Sequence, residues 1–96
     1  IAQERNYKQR QLTQQLKVLQ DKVLQNTQKR NYYEEEALVL AQNIQEKAQK
    51  SYRLGEIDYY QFAQTRQEVF LIQQTYLQTL LTHHLLQSEM EYLIGN

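Results

Sequence analysis

A single glycine divides this chain into two long helical patterns. The chain has 96 residues, two glycines and no proline; the glycines are Gly55 and Gly95. Glycine is the residue that most easily adopts the left-handed conformation in which helices end. Gly55 therefore predicts the end of a first helix near the middle of the chain.

The residues that follow Gly55 predict the start of a second helix. Asp58 is a favourable N-cap residue, and Gln61 lies three positions later, where it completes a capping box. Ile57 and Phe62 stand at the two positions of a hydrophobic staple. The end of one helix, a short turn and the start of a second helix together predict the tip of a helical hairpin.

We therefore expect an all-α fold, a long antiparallel helical hairpin of the coiled-coil kind that associates into a bundle or an α-barrel. Residues 1–96 form a single hairpin, with a first helix over about 2–53, a turn at 54–57 and a second helix over about 58–94. The chain opens at Ile1 without an initiator Met or a signal peptide, so we expect it to be a segment of a larger protein.

The first helix carries one narrow apolar row. The row consists of Leu12, Leu16, Leu19 and Val23 and then of Tyr33, Ala37, Ala41, Ile44, Ala48 and Tyr52. The polar interval Asn26–Asn31 between the two parts is the candidate for a bend or a join. About 50 helical residues would extend about 75 Å, which favours an elongated coiled coil.

The second helix carries two adjacent apolar rows. The first row is Phe62, Val69, Tyr76, Leu80, Met90 and Ile94, with Arg66, Gln73, His83 and Gln87 at the steps between. The second row is Tyr59, Ala63, Phe70, Leu77, Leu81, Leu85 and Tyr92. Such a wide apolar surface exceeds what one partner helix covers. We expect at least one further helix, from the rest of the protein or from other subunits, to pack on it.

Composition argues against several classes of function. Eleven basic and eleven acidic residues cancel, so the basic surface that binds nucleic acid is missing. No Cys is present, which removes disulfides, thiolate catalysis and Cys-type zinc sites. The longest apolar run, residues 37–41, is far shorter than the roughly 20 residues of a membrane-spanning helix. We expect no nucleic acid and no membrane contact by this segment.

No catalytic, cofactor-binding or metal site is expected. Glu34, Glu35 and Glu36 are consecutive and point around the helix, as solvated charges do. His83 and His84 point about 100° apart, whereas a shared metal needs partners three or four positions apart. The tyrosines at helical spacings are interpreted as interface residues that bury the ring and keep the hydroxyl group in contact with water. The sequence predicts a protein that is not an enzyme.

The hairpin tip and both flanks resemble a known family. Residues 48–59 are similar to the periplasmic tip motif of TolC-like outer membrane efflux factors, in which a helix ends in a tyrosine, a glycine turn and a new helix. Residues 85–95 resemble the close of that family's helical repeat, and residues 32–38 its heavy-metal efflux branch. The resemblance covers residues 30–95. Relatives often have proline where this chain has Val39, and we expect the helix to continue there.

The resemblance implies a part in an export conduit. Family members are trimers whose paired helices close into a periplasmic α-barrel, which docks tip to tip with a periplasmic adaptor and thereby with an inner-membrane pump. The resemblance also implies that this segment lies in the periplasmic portion of a bacterial outer membrane protein, or of an efflux protein fused to its pump. The implied adaptor contacts are Leu54 and Ile57 as apolar residues, Arg53 and Glu56 as polar residues, and Gly55 as the residue that shapes the backbone.

Two other functions remain open on the residues alone. A cytosolic coiled-coil scaffold or interaction module needs the same apolar rows, but it tolerates changes at the tip. A four-helix-bundle sensor of a small ligand needs a pocket between the helices.

Overall fold

The structure is a computed structural model that describes residues 2–95. It is an all-α helical hairpin with extents of 77 × 19 × 18 Å. The elements are helix α1 (Ala2–Tyr32), a π-helical segment (Tyr33–Ala37), helix α2 (Leu38–Arg53) and helix α3 (Tyr59–Ile94). The first arm consists of α1, the π segment and α2, and the second arm is α3. Both arms agree with the predicted helices.

The first arm is one continuous helix with an irregular turn. Tyr32, Ala37 and Leu38 all have right-handed helical backbone angles. The N–H of Leu38 donates to the carbonyl of Tyr33, five residues earlier, which is the π-helical pattern. The interval 26–31, where a bend was expected, is uninterrupted α-helix. The irregularity lies directly after it, and the helix continues through Val39 as predicted.

The inner row of the second arm is the set of residues that face the first arm. Its ten residues follow one another in steps of three and four and are all buried or half-buried: Phe62, Thr65, Val69, Ile72, Tyr76, Thr79, His83, Leu86, Met90 and Leu93. Val69, Thr79 and Leu86 are the most buried of them. This is a regular heptad seam.

The predicted first row of the second helix is correct only at every seventh residue. Phe62, Val69, Tyr76, His83 and Met90 do face the first arm. The residues predicted between and after them lie one position too late, and four of these are exposed: Arg66, Gln73, Gln87 and Ile94. The seam uses the preceding positions, which hold two threonines and the apolar residues Ile72, Leu86 and Leu93; the predicted row passed over all five.

The inner row of the first arm changes register at the π segment. Before the segment the row is Leu16, Leu19, Val23, Asn26, Arg30 and Tyr33, and after it Leu38, Ala41, Gln45 and Ala48. Steps of three and four continued from Tyr33 would have reached positions 37, 40, 44 and 47. The observed row lies one residue later, because a π turn takes up one extra residue.

The extra residue explains one error in the predicted row of the first helix, at Ile44. Ile44 and Tyr52 were placed on that row, yet each is 41% exposed. Tyr52 lies four positions after Ala48, in step with the observed row, and one residue before the arm ends at Arg53. Gln45 takes the place of Ile44 between Ala41 and Ala48. At the other end, Leu12 is exposed, and residues 2–15 all are. The buried contact between the arms therefore begins at Leu16.

Ala41 is one of the most buried residues of the hairpin and provides a test of the packing. Its side chain is only 2% exposed, although alanine has a single methyl group. Ala41→Leu should destabilise the hairpin by about 1–3 kcal/mol, because the added atoms have no space between the arms. Urea unfolding followed by circular dichroism measures the loss. Leu40→Ala, a change at the exposed neighbour, should cost less than about 1 kcal/mol; equal losses for the two variants would contradict this packing.

Candidate docking tip and outer face

The first arm ends in a complete Schellman motif. The N–H of Gly55 donates to the carbonyl of Tyr52 at 3.1 Å, and the N–H of Glu56 donates to the carbonyl of Ser51 at 2.9 Å. Gly55 has φ 76°, in the left-handed region. No atom lies within 4 Å of the place that a Cβ would occupy. Gly55 is thus required for its backbone conformation and not for lack of space, as the sequence predicted.

The second arm starts with the predicted capping box. Oδ1 of Asp58 accepts from the N–H of Gln61 at 2.8 Å, and the N–H of Asp58 donates to Oε1 of Gln61 at 3.2 Å. The arm ends at Gly95, which has φ 93°. Since the turn is fixed by hydrogen bonds at both of its ends, the tip is a defined loop.

The five predicted tip residues lie together but differ in accessibility. Leu54 is 64% exposed, and Arg53, Gly55 and Glu56 are exposed as well. Ile57 is half-buried and lines a groove with residues of the first arm such as Ala48 and Ser51. The tip therefore presents one large apolar side chain, Leu54, between a basic and an acidic residue. Ile57 mainly supports the loop from within.

An aromatic cluster lies directly behind the tip. The rings of Tyr52 and Phe62 have centroids 4.8 Å apart, and those of Tyr52 and Tyr59 are 6.2 Å apart. The guanidinium of Arg66 lies 5.8 Å from the centroid of Phe62, within cation–π range. With Ala63 these residues line an open groove of about 380 Å³. The sequence pattern did not predict this cluster, although the three aromatic residues flank the turn closely on both sides.

Polar contacts join the two arms near the middle of their length. Nδ2 of Asn26 donates to the carbonyl of Thr79 at 3.0 Å. The hydroxyl of Tyr76 donates to Oε1 of Glu34 at 2.8 Å, and Nε of Arg30 lies 4.0 Å from the same oxygen. These contacts cross between the arms at two places and so help to set their register. They occupy the polar interval and the Glu34–Glu36 run, which the sequence analysis interpreted only as a bend and a solvated face.

The Tyr76–Glu34 hydrogen bond has an electrostatic consequence. Donation to the Glu34 carboxylate raises the pKa of Tyr76 above its ordinary value, and partial burial and the negative charge of Glu34 act in the same direction. The positive charge of Arg30 opposes the shift only weakly. The phenol therefore keeps its proton to higher pH in the hairpin than in an unfolded chain.

The outer row is a line of apolar residues on the second arm: Phe70, Leu77, Leu81, Leu85 and Tyr92. All five are between 55% and 80% exposed. Leu81 follows buried Thr79 by two positions, which is about 200° around a helix, so the row lies opposite the inner row. From Phe70 to Tyr92 it extends about 33 Å. The predicted second row is thus a real surface; of its two further members, Tyr59 is exposed and Ala63 is half-buried.

Other kinds of site have little support in this structure. Within residues 2–95 no three His, Cys, Asp or Glu side chains gather where they could hold a metal ion. None of the described helices is long and apolar enough to span a membrane. Comparison with protein-family models, with curated proteins and with solved structures gives no match to this chain.

Replacement of Gly55 tests the geometry of the tip. Gly55→Ala should destabilise the hairpin by about 1–2 kcal/mol, because a Cβ is unfavourable in the left-handed region. Gly55→Asn should cost less, since Asn tolerates that conformation better. Thermal unfolding followed by circular dichroism measures both. If Gly55→Ala unfolded at the same temperature as the wild type, residue 55 would not hold this conformation.

The Tyr76 pKa predicts how stability depends on pH. The folded-state pKa is raised, so the stabilisation is present below the unfolded value of 10.0 and is lost as the pH rises through that value toward the folded one. The urea midpoint of the wild type should therefore fall more steeply from about pH 9 to about pH 11 than that of Tyr76→Phe. Tyr7→Phe, at an exposed position, is the control and should keep the wild-type slope. If the urea midpoints of the wild type and of Tyr76→Phe fell equally with pH, the hydrogen bond between Tyr76 and Glu34 would be contradicted.

Proposed function

We propose that this chain is an assembly unit, a hairpin that packs beside further helices through its outer row and presents its tip to a partner. The exposed outer row carries the proposal. The second arm already buries its inner row against the first arm, so the outer row is additional apolar surface. Contiguous exposed apolar surface on a soluble chain commonly marks a protein–protein interface.

In its specific form, the proposed assembly is the periplasmic α-barrel of a TolC-like export conduit. The chain would be one stave of the barrel, that is, one hairpin of its wall, and the full protein would be a trimer. The barrel would belong to a tripartite system with a periplasmic adaptor and an inner-membrane pump. A stave must contact neighbours on both sides, which fits the two apolar faces of α3. The similarity of residues 48–59 to the family's tip motif supports this form, and residues 32–38 favour the heavy-metal branch.

The geometry of the tip suits docking to a partner, a role that involves no catalysis. The Schellman motif and the capping box order the loop before any partner arrives, so little conformational entropy is lost on binding. Leu54 supplies an apolar contact, and Arg53 and Glu56 supply charges of both signs around it. Within residues 2–95 neither of these charged residues takes part in an ion pair, so both are free for a partner.

A coiled-coil scaffold is the second candidate, because it would use the outer row in the same way. It differs from the conduit in one respect that can be tested, since a scaffold does not need the tip. The two candidates are therefore separated by variants that change the tip and leave the outer row intact.

Tip variants test the docking proposal. Leu54→Asp and Gly55→Val should weaken binding to the periplasmic adaptor of the same bacterium by about tenfold or more, because one removes the apolar contact and the other distorts the loop. Surface plasmon resonance measures the binding, and complementation of efflux is the readout in cells. Leu24→Asp is the matched control, at a similarly exposed leucine of the first arm.

The outcomes separate the two candidates. Loss of adaptor binding with wild-type helicity and wild-type self-association supports the conduit. Wild-type binding and efflux by both tip variants, with folding intact, would refute tip docking. A chain that associates normally but binds no adaptor even as wild type would favour the scaffold.

A further inference from the structure

The outer row has a symmetry that the packing of the hairpin does not require. Its five residues are separated by steps of seven, four, four and seven, so that Leu81 is the centre of the row. Read in either direction along α3, the row presents apolar residues at the same distances from Leu81. A surface with this property is complementary to itself under a two-fold axis through Leu81.

We propose that the outer rows of two copies of this chain pack against each other in antiparallel orientation, about a two-fold axis at Leu81. Leu81 then meets Leu81 of the second copy. Leu77 meets Leu85 of the second copy, and Phe70 meets Tyr92 of the second copy, each pair occurring twice. All five apolar side chains of each copy are covered over about 33 Å of helix.

Polar residues beside the row obey the same symmetry. Under a two-fold axis at Leu81, Gln78 lies opposite His84 and Gln74 lies opposite Ser88. All four are exposed in the hairpin. Each pair combines side chains that can donate and accept hydrogen bonds. These four polar residues beside the apolar line are therefore paired with polar residues of the second copy.

The charge distribution along α3 also fits a self-interface. Between Glu68 and Glu89 the arm contains no Asp, Glu, Lys or Arg. Depletion of charge at the centre, with aromatic residues present and charges at the rim, is typical of protein–protein interfaces. In the antiparallel pair Glu68 lies opposite Ile94 and Glu89 lies opposite Gln73, so no two carboxylates face each other. A second copy satisfies the surface without electrostatic conflict.

Helix α1 of the first arm is a poorer occupant of this surface. Its exposed apolar residues before the π segment are few, and those beyond Leu12 are six to eight residues apart: Val18, Leu24 and Tyr32. They match neither the spacing nor the density of the outer row. The second arm of another copy matches both, which is why we assign the surface to that arm.

The antiparallel pair has a geometry that distinguishes it from the conduit. Tyr59 lies 22 positions before Leu81, so the two tips project at opposite ends, about 66 Å apart along the axis. In a barrel of parallel staves all tips lie at one end, so the antiparallel pair is an alternative to the barrel as a use of the outer row and agrees with the scaffold candidate. The inference uses the outer row alone, so it does not depend on adaptor docking.

Cysteine cross-linking tests the orientation directly, because the natural chain has no Cys. Leu77→Cys and Leu85→Cys proteins are mixed, oxidised with copper phenanthroline and analysed by mass spectrometry. The antiparallel pair predicts predominantly mixed 77–85 dimers. A parallel pair in register predicts 77–77 and 85–85 dimers, and that result would overturn the proposal. Leu24→Cys, on the first arm, should form no rapid dimer.

Sedimentation of the unmodified 96-residue chain tests the surface itself. We expect a dimer that Leu81→Asp weakens by about tenfold or more, because two carboxylates would meet at the axis. Leu24→Asp is the matched control, since both leucines are 58% exposed, and it should dimerise as the wild type does. Leu54→Asp should also leave the dimer intact, which separates this surface from the tip.

Two outcomes would refute the self-interface. One is a wild-type chain that is fully helical by circular dichroism and monomeric at about 100 µM, a concentration at which a stable homodimer interface of this kind would be occupied. The other is equal weakening of association by Leu81→Asp and Leu24→Asp with helicity unchanged. Either result leaves the tip proposal unaffected.

Discussion

The left-handed conformation of Gly55 is the constraint from which the rest of the hairpin follows. It lets the N–H groups of Gly55 and Glu56 return to the carbonyls of the last helical turn, which ends the first arm within one residue. Asp58 and Gln61 then start the second arm at once. Because the reversal is so short, the arms must run side by side from the tip, and their inner rows are brought into contact along the chain.

The contact between the arms is thin and mixed in character. Among residues 2–95 only Leu19, Ala41, Val69, Thr79 and Leu86 are buried. Between them lie polar contacts, of which the hydrogen bond from Asn26 to the Thr79 carbonyl is the most enclosed. Buried apolar side chains stabilise such a seam by about 1.5–3 kcal/mol each, whereas polar contacts chiefly select one register. A hairpin with so few buried residues gains much from covering the apolar surface that it still exposes.

Local signals in the sequence predicted the fold and the tip well, because their causes are local. Gly55 and the Asp58–Gln61 pair act through hydrogen bonds to residues a few positions away, and all three behave as predicted. The second row of α3 was also predictable, because its spacing is regular. Inner-row positions of polar type were not, since Thr65, Thr79 and Gln45 are buried or half-buried by their place in the heptad and not by their hydrophobicity.

The π segment shows where sequence periodicity fails and what such a turn permits. An apolar pattern read at a fixed period cannot anticipate one added residue, and so Ile44 was placed inward when it faces out. The same turn absorbs a change in chain length without rotating α2 away from α3. A relative with one residue fewer between Tyr33 and Leu38 would simply wind as an unbroken α-helix, with both halves of its arm still in phase. Residues 33–37 are therefore the place in this arm where evolution could have inserted a codon at little structural cost.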